Sequence, residues 1–430
     1  MSSLRSNEEW RGLPDLPTIR VTLAILLLGT SVAISQEKTI VIESWREDDL
    51  PVWQDKIIPA FEARNAGTKV VFSPTDGETY DTQVAARLAA GKAGDLIACR
   101  PFDASLDLFN KGYLAPLNDL TGIEKFSTFA RSAWSTDDGK TTFCVPIASV
   151  IQGFIYNADA FEKLGIQAPA TEEEFFAALE KFKADGTYVP LAMGTKDGWE
   201  AGILGYQNIG PAYWKGEEGR RALIAGMQKL TDPKWAEPLA TLARWRDYLG
   251  TDFDKRSYAD SQRLFASGRA AIYPAGSWEI SGFQAQARFT LGAFPPPVPK
   301  PSDPCYISDQ PDIGIGLNAK SANVEAARTF LAWVASPEFA ALYADALPGF
   351  FGLIQTPKAI DQPLAAQFAS WRSRCKSTLR STDAVLSRGT PDLAGETRLK
   401  ATAVVNGAET PQEAATELQN GLDSWYRPGR

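Results

Sequence analysis

Residues 39–98 read TIVI-ESWREDDLPV-WQDKIIPAF-EARNAGT-KVVF-SPTDGE-TYDTQVAARLAA-GKAG-DLIA. Thr39–Ile42 is a β-branched run suited to a strand buried on both faces. A helical pattern follows over Trp53–Phe61, then a second strand over Lys69–Phe72. Thr79–Ala90 reads as a helix closed by Gly91, and Asp95–Ala98 as a third strand. Alternating β-α-β-α-β elements of this length imply a parallel sheet with helices on its faces. Connections of this kind are nearly always right-handed.

The chain downstream is richer in helix. Thr171-Glu-Glu-Glu174 has the S/T-x-x-E form of a capping box. Phe175, Leu179 and Phe182 behind it share one helical face, and Gly186 can close the helix. Trp235–Leu249 is amphipathic, with Leu239, Leu242, Trp245 and Leu249 in line. Ser336-Pro337 pairs an N-cap with proline at the first helical position, ahead of an apolar stripe of Phe339, Leu342, Tyr343 and Ala346. Phe294–Pro304 (FPPPVPKPSDP) holds six prolines, which exclude regular structure, and reads as a stiff connector between lobes.

The 430 residues carry no histidine, 44 Lys+Arg and 52 Asp+Glu, for a net charge of -8. Without histidine, Ser-His-Asp and Cys-His catalysis, His-ligated metal sites and a His-based pH switch are excluded. The acidic balance argues against a nucleic-acid partner. At this length two domains are expected. The apolar run Val21–Ile34 follows Arg20, is too short to span a bilayer, and ends in small residues. It reads as the core of an export signal over residues 1–36, although Glu8, Glu9 and Asp15 leave the preceding stretch without a net positive charge. No cysteine follows it that could carry a lipid. Cys99, Cys144, Cys305 and Cys375 lack metal or redox spacing. They are either free thiols or two disulfides in one of three pairings, of which Cys99–Cys144 with Cys305–Cys375 is favoured.

Candidate site residues fall in two sets. Glu47, Asp48 and Asp49 follow the first strand, and Asp95, Asp103 and Asp107 surround the third. Loops at the carboxyl ends of such strands form the ligand crevice of an open α/β sheet. Acids there could act as a general acid and base, accept hydrogen bonds from sugar hydroxyls, or be solvated charge. Among the 12 tryptophans, Trp45, Trp199 and Trp278 sit beside Arg46, Glu200 and Glu279 in loops. A flat indole beside a charged group suits a sugar ring, and packs equally well in a core. No phosphate loop or nucleophile elbow is present. Gly314-Ile-Gly316 reads as a close-packing feature of a strand.

Several segments together resemble the extracellular sugar-binding proteins of bacterial ABC importers, the group that includes maltose-binding protein. They are Thr39–Trp45 with Phe61-Glu62; Gly94-Asp-Leu-Ile97; Phe143-Cys-Val-Pro146 with Phe154-Ile-Tyr-Asn157, Phe161 and Leu164-Gly165; Gly268-Arg-Ala-Ala-Ile272 with Ala275-Gly-Ser-Trp278; and Leu317–Pro337. The resemblance runs from about residue 38 onward. It implies a periplasmic-binding-protein-like α/β fold of type II, with two discontinuous lobes and a cleft at the hinge. The expected lobes are 37–147 plus 310–347 and 148–309 plus 348–430.

By position, the resemblance places Trp45, Arg46, Glu47 and Asp48, then Arg100, Phe102 and Asp103, on the cleft. Trp278 falls on the family's sugar-stacking tryptophan. Glu279, Gly349, Phe350, Trp199 and Asp309 complete the expected ligand set. After Pro146 the chain reads Ala148-Ser-Val-Ile-Gln152, without the acid of maltose binders, so maltodextrin specificity is not implied. The expected function is a monomeric periplasmic receptor that binds a mono- or oligosaccharide and delivers it to an ABC permease. It needs no cofactor or metal, and without histidine its binding should change little between pH 6 and 8. Two alternatives remain: a carbohydrate-active enzyme with paired carboxylates, and a same-fold receptor for a polyamine or peptide.

Overall fold

The computed structural model describes residues 37–354 and 359–428; the expected export signal lies outside them. The opening βαβαβ unit forms as its sequence predicts. Strands β1 (Lys38–Ser44), β2 (Thr68–Pro74) and β3 (Leu96–Cys99) pair in parallel, with β1 central. Further strands are β4 (Cys144–Asn157), β5 (Val189–Leu191), β6 (Ala270–Gly276), β7 (Leu291–Phe294), β8 (Tyr306–Leu317), β9 (Phe351–Gly352) and β10 (Lys376–Thr378). Their order is β2-β1-β3-β8-β4-β6-β5, with β7 and β9 on β4 and β10 on β8.

The long antiparallel pair β4 and β8 joins two α/β halves. Along β4, Val145, Ile147 and Val150 enter a first core with Ile40, Ile42, Phe61, Phe330 and Phe339. Ile151 and Ile155 then enter a second core with Phe265, Tyr273, Phe368 and Trp371. β8 does the same in reverse, with Ile307 in the second core and Ile313, Ile315 and Leu317 in the first. Every β4 residue except Tyr156 is buried, as expected for a strand with helices or sheet on both faces. The β4–β8 register shifts between Pro146 and Ser149, so the ladder is bulged where the chain crosses.

Gly314 and Gly316 are close-packing residues. A Cβ at Gly314 would lie 2.8 Å from the Trp134 indole, and one at Gly316 would lie 2.9 Å from Cys144 Sγ and 3.0 Å from Cys99 Sγ. The Cys99–Cys144 disulfide therefore passes over β8 from one flanking strand to the other, at a position with no side chain to obstruct it. The second disulfide, Cys305–Cys375, ties the start of β8 to that of β10. The favoured pairing is the one present.

The helix Glu172–Asp185 carries the expected capping box and ends at left-handed Gly186. The proline-rich stretch corrects the expectation of an inter-lobe connector. Val298 N–H donates to the Ala170 carbonyl at 3.0 Å, and Glu172 N–H donates to the Val298 carbonyl at 2.9 Å. These bonds pin the stretch to the start of the Glu172–Asp185 helix within the second half. It links β7, which begins beside the end of β4, to β8, which begins beside the start of β10.

Candidate functional site

β1 ends at Ser44 and releases the loop Trp45–Asp49. The Arg46 guanidinium grips Asp49 through Nε and Nη2 at 2.8 Å each, and also reaches Asp48 Oδ2 at 2.9 Å. It lies 4.9 Å over the Phe350 ring. Burial works against its charge, but Asp49 and Asp48 more than offset this and hold the guanidinium firmly protonated. Asp49 is buried, whereas the Asp48 side chain is 60% exposed. Asp48 is nevertheless pushed up, chiefly by desolvation among surrounding protein atoms, with Arg46 pulling it down. Glu47 is exposed on the same loop. Trp45 is half-buried against Tyr80, with the Arg100 guanidinium 4.6 Å over its ring. Arg100 is in turn held by Asp81 at 2.8 Å and the Gly77 carbonyl at 2.9 Å.

Phe102 departs from regular backbone geometry at φ 59°, ψ −130°, directly before the helix Asp103–Asn110. Such a conformation costs a non-glycine residue of order 1–3 kcal/mol, and its N–H bond to the Ala133 carbonyl at 2.7 Å helps to hold it. Asp103 accepts from Arg388 Nε at 2.7 Å, while Arg388 Nη1 and Nη2 bind Asp137 at 2.7 and 2.8 Å. Arg388 lies next to Leu386 of the second half's core, so this bridge spans the two halves. Burial pushes the Asp103 carboxyl up, and the Arg388 bond pulls it back. Replacing Arg388 with Met removes a partly exposed bridge worth roughly 1 kcal/mol. Ligand affinity by calorimetry should fall about two- to fivefold and lose part of its salt dependence; unchanged values would make the bridge incidental to closure.

From the second half, β6 runs into the short turn Ser277–Glu279. The Trp278 indole folds back over Gly276, where a Cβ would lie 2.0 Å from the ring. Half-buried, Trp278 packs against both the first and the second core. Its Nε1–H points to the Tyr258 hydroxyl oxygen at 3.1 Å and Glu279 Oε1 at 3.2 Å. Tyr258 meets Trp199 edge-on at 4.7 Å. The Tyr258 and Glu279 groups feel the charges of Asp48 and Arg46, so the loop after β1 lies within electrostatic reach of them.

Several expected contacts are committed elsewhere. Glu279 is only 2% exposed, and its carboxylate accepts from Tyr258, Gln262 and Trp278. Asp309, on β8, is clamped by Arg372 at 2.9 and 2.7 Å and by Ser377 at 2.8 Å. Gly349, at φ 102°, presses its Cα against the Ser277 carbonyl, 1.9 Å from where a Cβ would sit. Phe350 is a core residue that supports Arg46 from below. Sequence reasoning missed Tyr258, Arg388, Arg398 and Glu78. Arg398 is exposed on the helix Leu393–Asn406, yet its charge is opposed by burial and by Arg380 and Arg100, and supported by Glu78. Tyr258 and Arg398 lie on helices, Arg388 in a bend after the short turn Val385–Ser387, and Glu78 in the turn between β2 and the helix Tyr80–Ala89.

Residues 45–341 match the family model described as bacterial extracellular solute-binding protein. A multiple sugar-binding protein of Streptococcus mutans is 22% identical over 325 residues, covering 72% of this chain and 74% of that one. A solved chitin oligosaccharide binding protein superposes with a TM-score of 0.76 at 21% identity, over 90% of this chain and 98% of its own. A solute-binding protein in complex with raffinose gives 0.73 at 20% identity, over 90% and 99%.

Proposed function

The chain belongs to the bacterial extracellular solute-binding proteins, and from that membership we propose that it is the periplasmic substrate-binding component of an ABC importer for a neutral mono- or oligosaccharide. The observation that carries the sugar reading is an aromatic cluster set near a charged loop. Trp278, Tyr258 and Trp199 touch one another, and Arg46 and Asp48 of the loop after β1, beside Trp45, lie close enough to act on Tyr258 electrostatically. Indole and phenol faces take the apolar side of a pyranose, and the charged groups bridge its hydroxyls. Positive and negative groups are mixed along the groove, which suits a neutral polyol better than a cation. The sugar-binding relatives support the same reading.

The lobes that move are residues 37–147 plus 310–347 and 148–309 plus 348–430, bending at the Pro146–Ser149 bulge. A ligand that contacts both lobes stabilises the closed form, since only differential affinity shifts the equilibrium. Capture at about micromolar strength corresponds to roughly -8 kcal/mol, within reach of one stacked ring and a few charge-assisted bonds. The receptor acts as a monomer and passes its sugar intact to the permease.

Trp278→Ala should weaken sugar binding at least tenfold by calorimetry while the melting temperature of the ligand-free protein changes little. Unchanged affinity would remove Trp278 from the site. Thermal-shift screening against neutral sugars finds the ligand, because binding to the native state raises the melting temperature. A second reading has one observation in its favour: Glu279, pushed up to about 7, faces the charge of Asp48, as an acid and a base would in a glycosidase. Its internal hydrogen bonds count against it. Oligosaccharide recovered uncleaved after long incubation would reject the enzyme.

A further inference from the structure

Glu279 stands directly behind the aromatic face of the cleft. Its Oε1 accepts from Trp278 Nε1–H at 3.2 Å and from the Tyr258 hydroxyl, with the Tyr273 hydroxyl at 3.5 Å. Its Oε2 accepts from Gln262 Nε2 at 2.9 Å. Trp278 has one polar atom, and this carboxylate shares it with the Tyr258 oxygen. Tyr258 in turn sets the edge-on contact with Trp199. One buried carboxylate therefore fixes the planes of two rings directly and of a third through Tyr258. A platform ordered beforehand loses less side-chain entropy when a ligand stacks on it.

We propose that Glu279 is the positioning residue of the cleft: its carboxylate holds the Trp278–Tyr258–Trp199 platform in the orientation that stacks on a sugar ring, and capture weakens when that carboxyl takes up a proton. The inference rests on the sugar-receptor reading above. The reason for the coupling is the donor count. An ionised carboxylate offers acceptor sites on both oxygens to Trp278, Tyr258, Tyr273 and Gln262. Once protonated it becomes a donor on one oxygen, so the bond there must reverse or break, and the bonds that Trp278 Nε1–H and the Tyr258 hydroxyl make to it lose their charge assistance.

The charged and titratable groups that face it come from every packed element. Tyr258 and Gln262 lie on the helix Tyr258–Ala266, Tyr273 on β6, Asp48 and Arg46 on the loop after β1, and Glu200 ahead of the helical segment Ala201–Tyr206. Burial is the largest influence and pushes the carboxyl up to about 7; the bonds from Tyr258 and Gln262 pull it down, Asp48 raises it and Arg46 lowers it. Ionisation therefore passes from mostly complete at pH 8 to mostly absent at pH 6. The pH-independence expected of a chain without histidine is therefore put to the test at Glu279, which burial pushes up toward neutrality.

The test begins without any sugar. Tryptophan fluorescence and near-ultraviolet circular dichroism are followed from pH 5.5 to 8.5 for the wild type, Glu279→Gln, Tyr258→Phe and Trp278→Phe. The wild type should show a transition near pH 7 that is absent in Glu279→Gln and Trp278→Phe. In Tyr258→Phe, which loses a bond that favours the ionised form, the midpoint should move to higher pH. No transition in the wild type, or its survival in Glu279→Gln, overturns the proposal. Thermal unfolding at pH 5 checks that each variant is folded. Raffinose and chitotriose are then titrated at pH 6 and 8. A sugar that binds should bind the wild type several-fold more weakly at pH 6 and Glu279→Gln equally at both. Equal wild-type affinities despite the spectroscopic transition overturn the coupling. No binding of either probe, or of any neutral sugar, with the transition present overturns the sugar reading and leaves the platform geometry standing.

Discussion

Replacing Cys99 and Cys144 together by alanine is expected to destabilise the protein by about 4 kcal/mol, the loop-closure entropy returned to the unfolded chain. The bond closes a loop of 45 residues, and the corresponding value for Cys305–Cys375, which closes 70, is of the same size. For lobes of this size a loss of that order lowers the melting temperature by about 10 °C. The first pair should also matter to function. It clamps β3 to β4 across Gly316, close to the point where β4 leaves the first half. Scanning calorimetry of oxidised, reduced and double-alanine protein measures the effect. Equal melting temperatures for the oxidised and double-alanine forms would mean that the sheet alone holds these strands.

The second large effect is a fall in stability as the pH rises. An unfolded glutamate titrates near 4.5, whereas burial pushes Glu279 up to about 7. Between these values the folded chain holds a proton that the unfolded chain has released, so stability is greatest near pH 5 and declines toward pH 8. The full difference is about 3 kcal/mol, and at 2% exposure little of it is screened by solvent. Asp383, pushed up to about 6 by burial, adds to the slope in the same sense at slightly lower pH. Glu279→Gln should flatten the Glu279 share, gaining about 2–3 kcal/mol at pH 8 and little at pH 5 in urea unfolding. A wild-type stability that rises across this range would contradict the buried-acid geometry. The ionised form that orders the aromatic platform is thus the form that costs stability, a trade often met where function needs a buried charge.

The parts of the fold that sequence reasoning reached share a local cause. The β-branched run Thr39–Ile42, the capping box at Thr171 and the left-handed stop at Gly186 each act within a few residues of chain. The order of family-like segments carried the two-lobe architecture further than composition could. The expected site was legible only in part. Trp45, Arg46, Asp48, Arg100, Asp103 and Trp278 follow strand ends that the βαβ pattern and the resemblance locate. Tyr258 does not, because helix residues look alike in sequence whether they face a partner or solvent, and Arg388 does not, because it lies in an irregular bend with no periodicity to read. The proline-rich stretch misled for the opposite reason: proline excludes helix and strand, but says nothing of what the extended chain packs against.

Sequence alone determined the element types, the exclusion of histidine chemistry and the residues that end β1 and β3 at the crevice. Those follow from side-chain shape, backbone preference and composition, which are properties of short stretches. Only the tertiary structure decided what each polar group does there. Glu279, adjacent to Trp278 in the chain, reads as a ligand contact and proves to be a buried acceptor behind it. Asp309 reads as a cleft acid and is spent on Arg372. Arg388, which the sequence did not mark, binds Asp103 and Asp137, far from it along the chain. Burial and the identity of a charge's partner depend on atoms brought together from distant segments, and those fix whether a carboxyl is an ion, an acid or a strut.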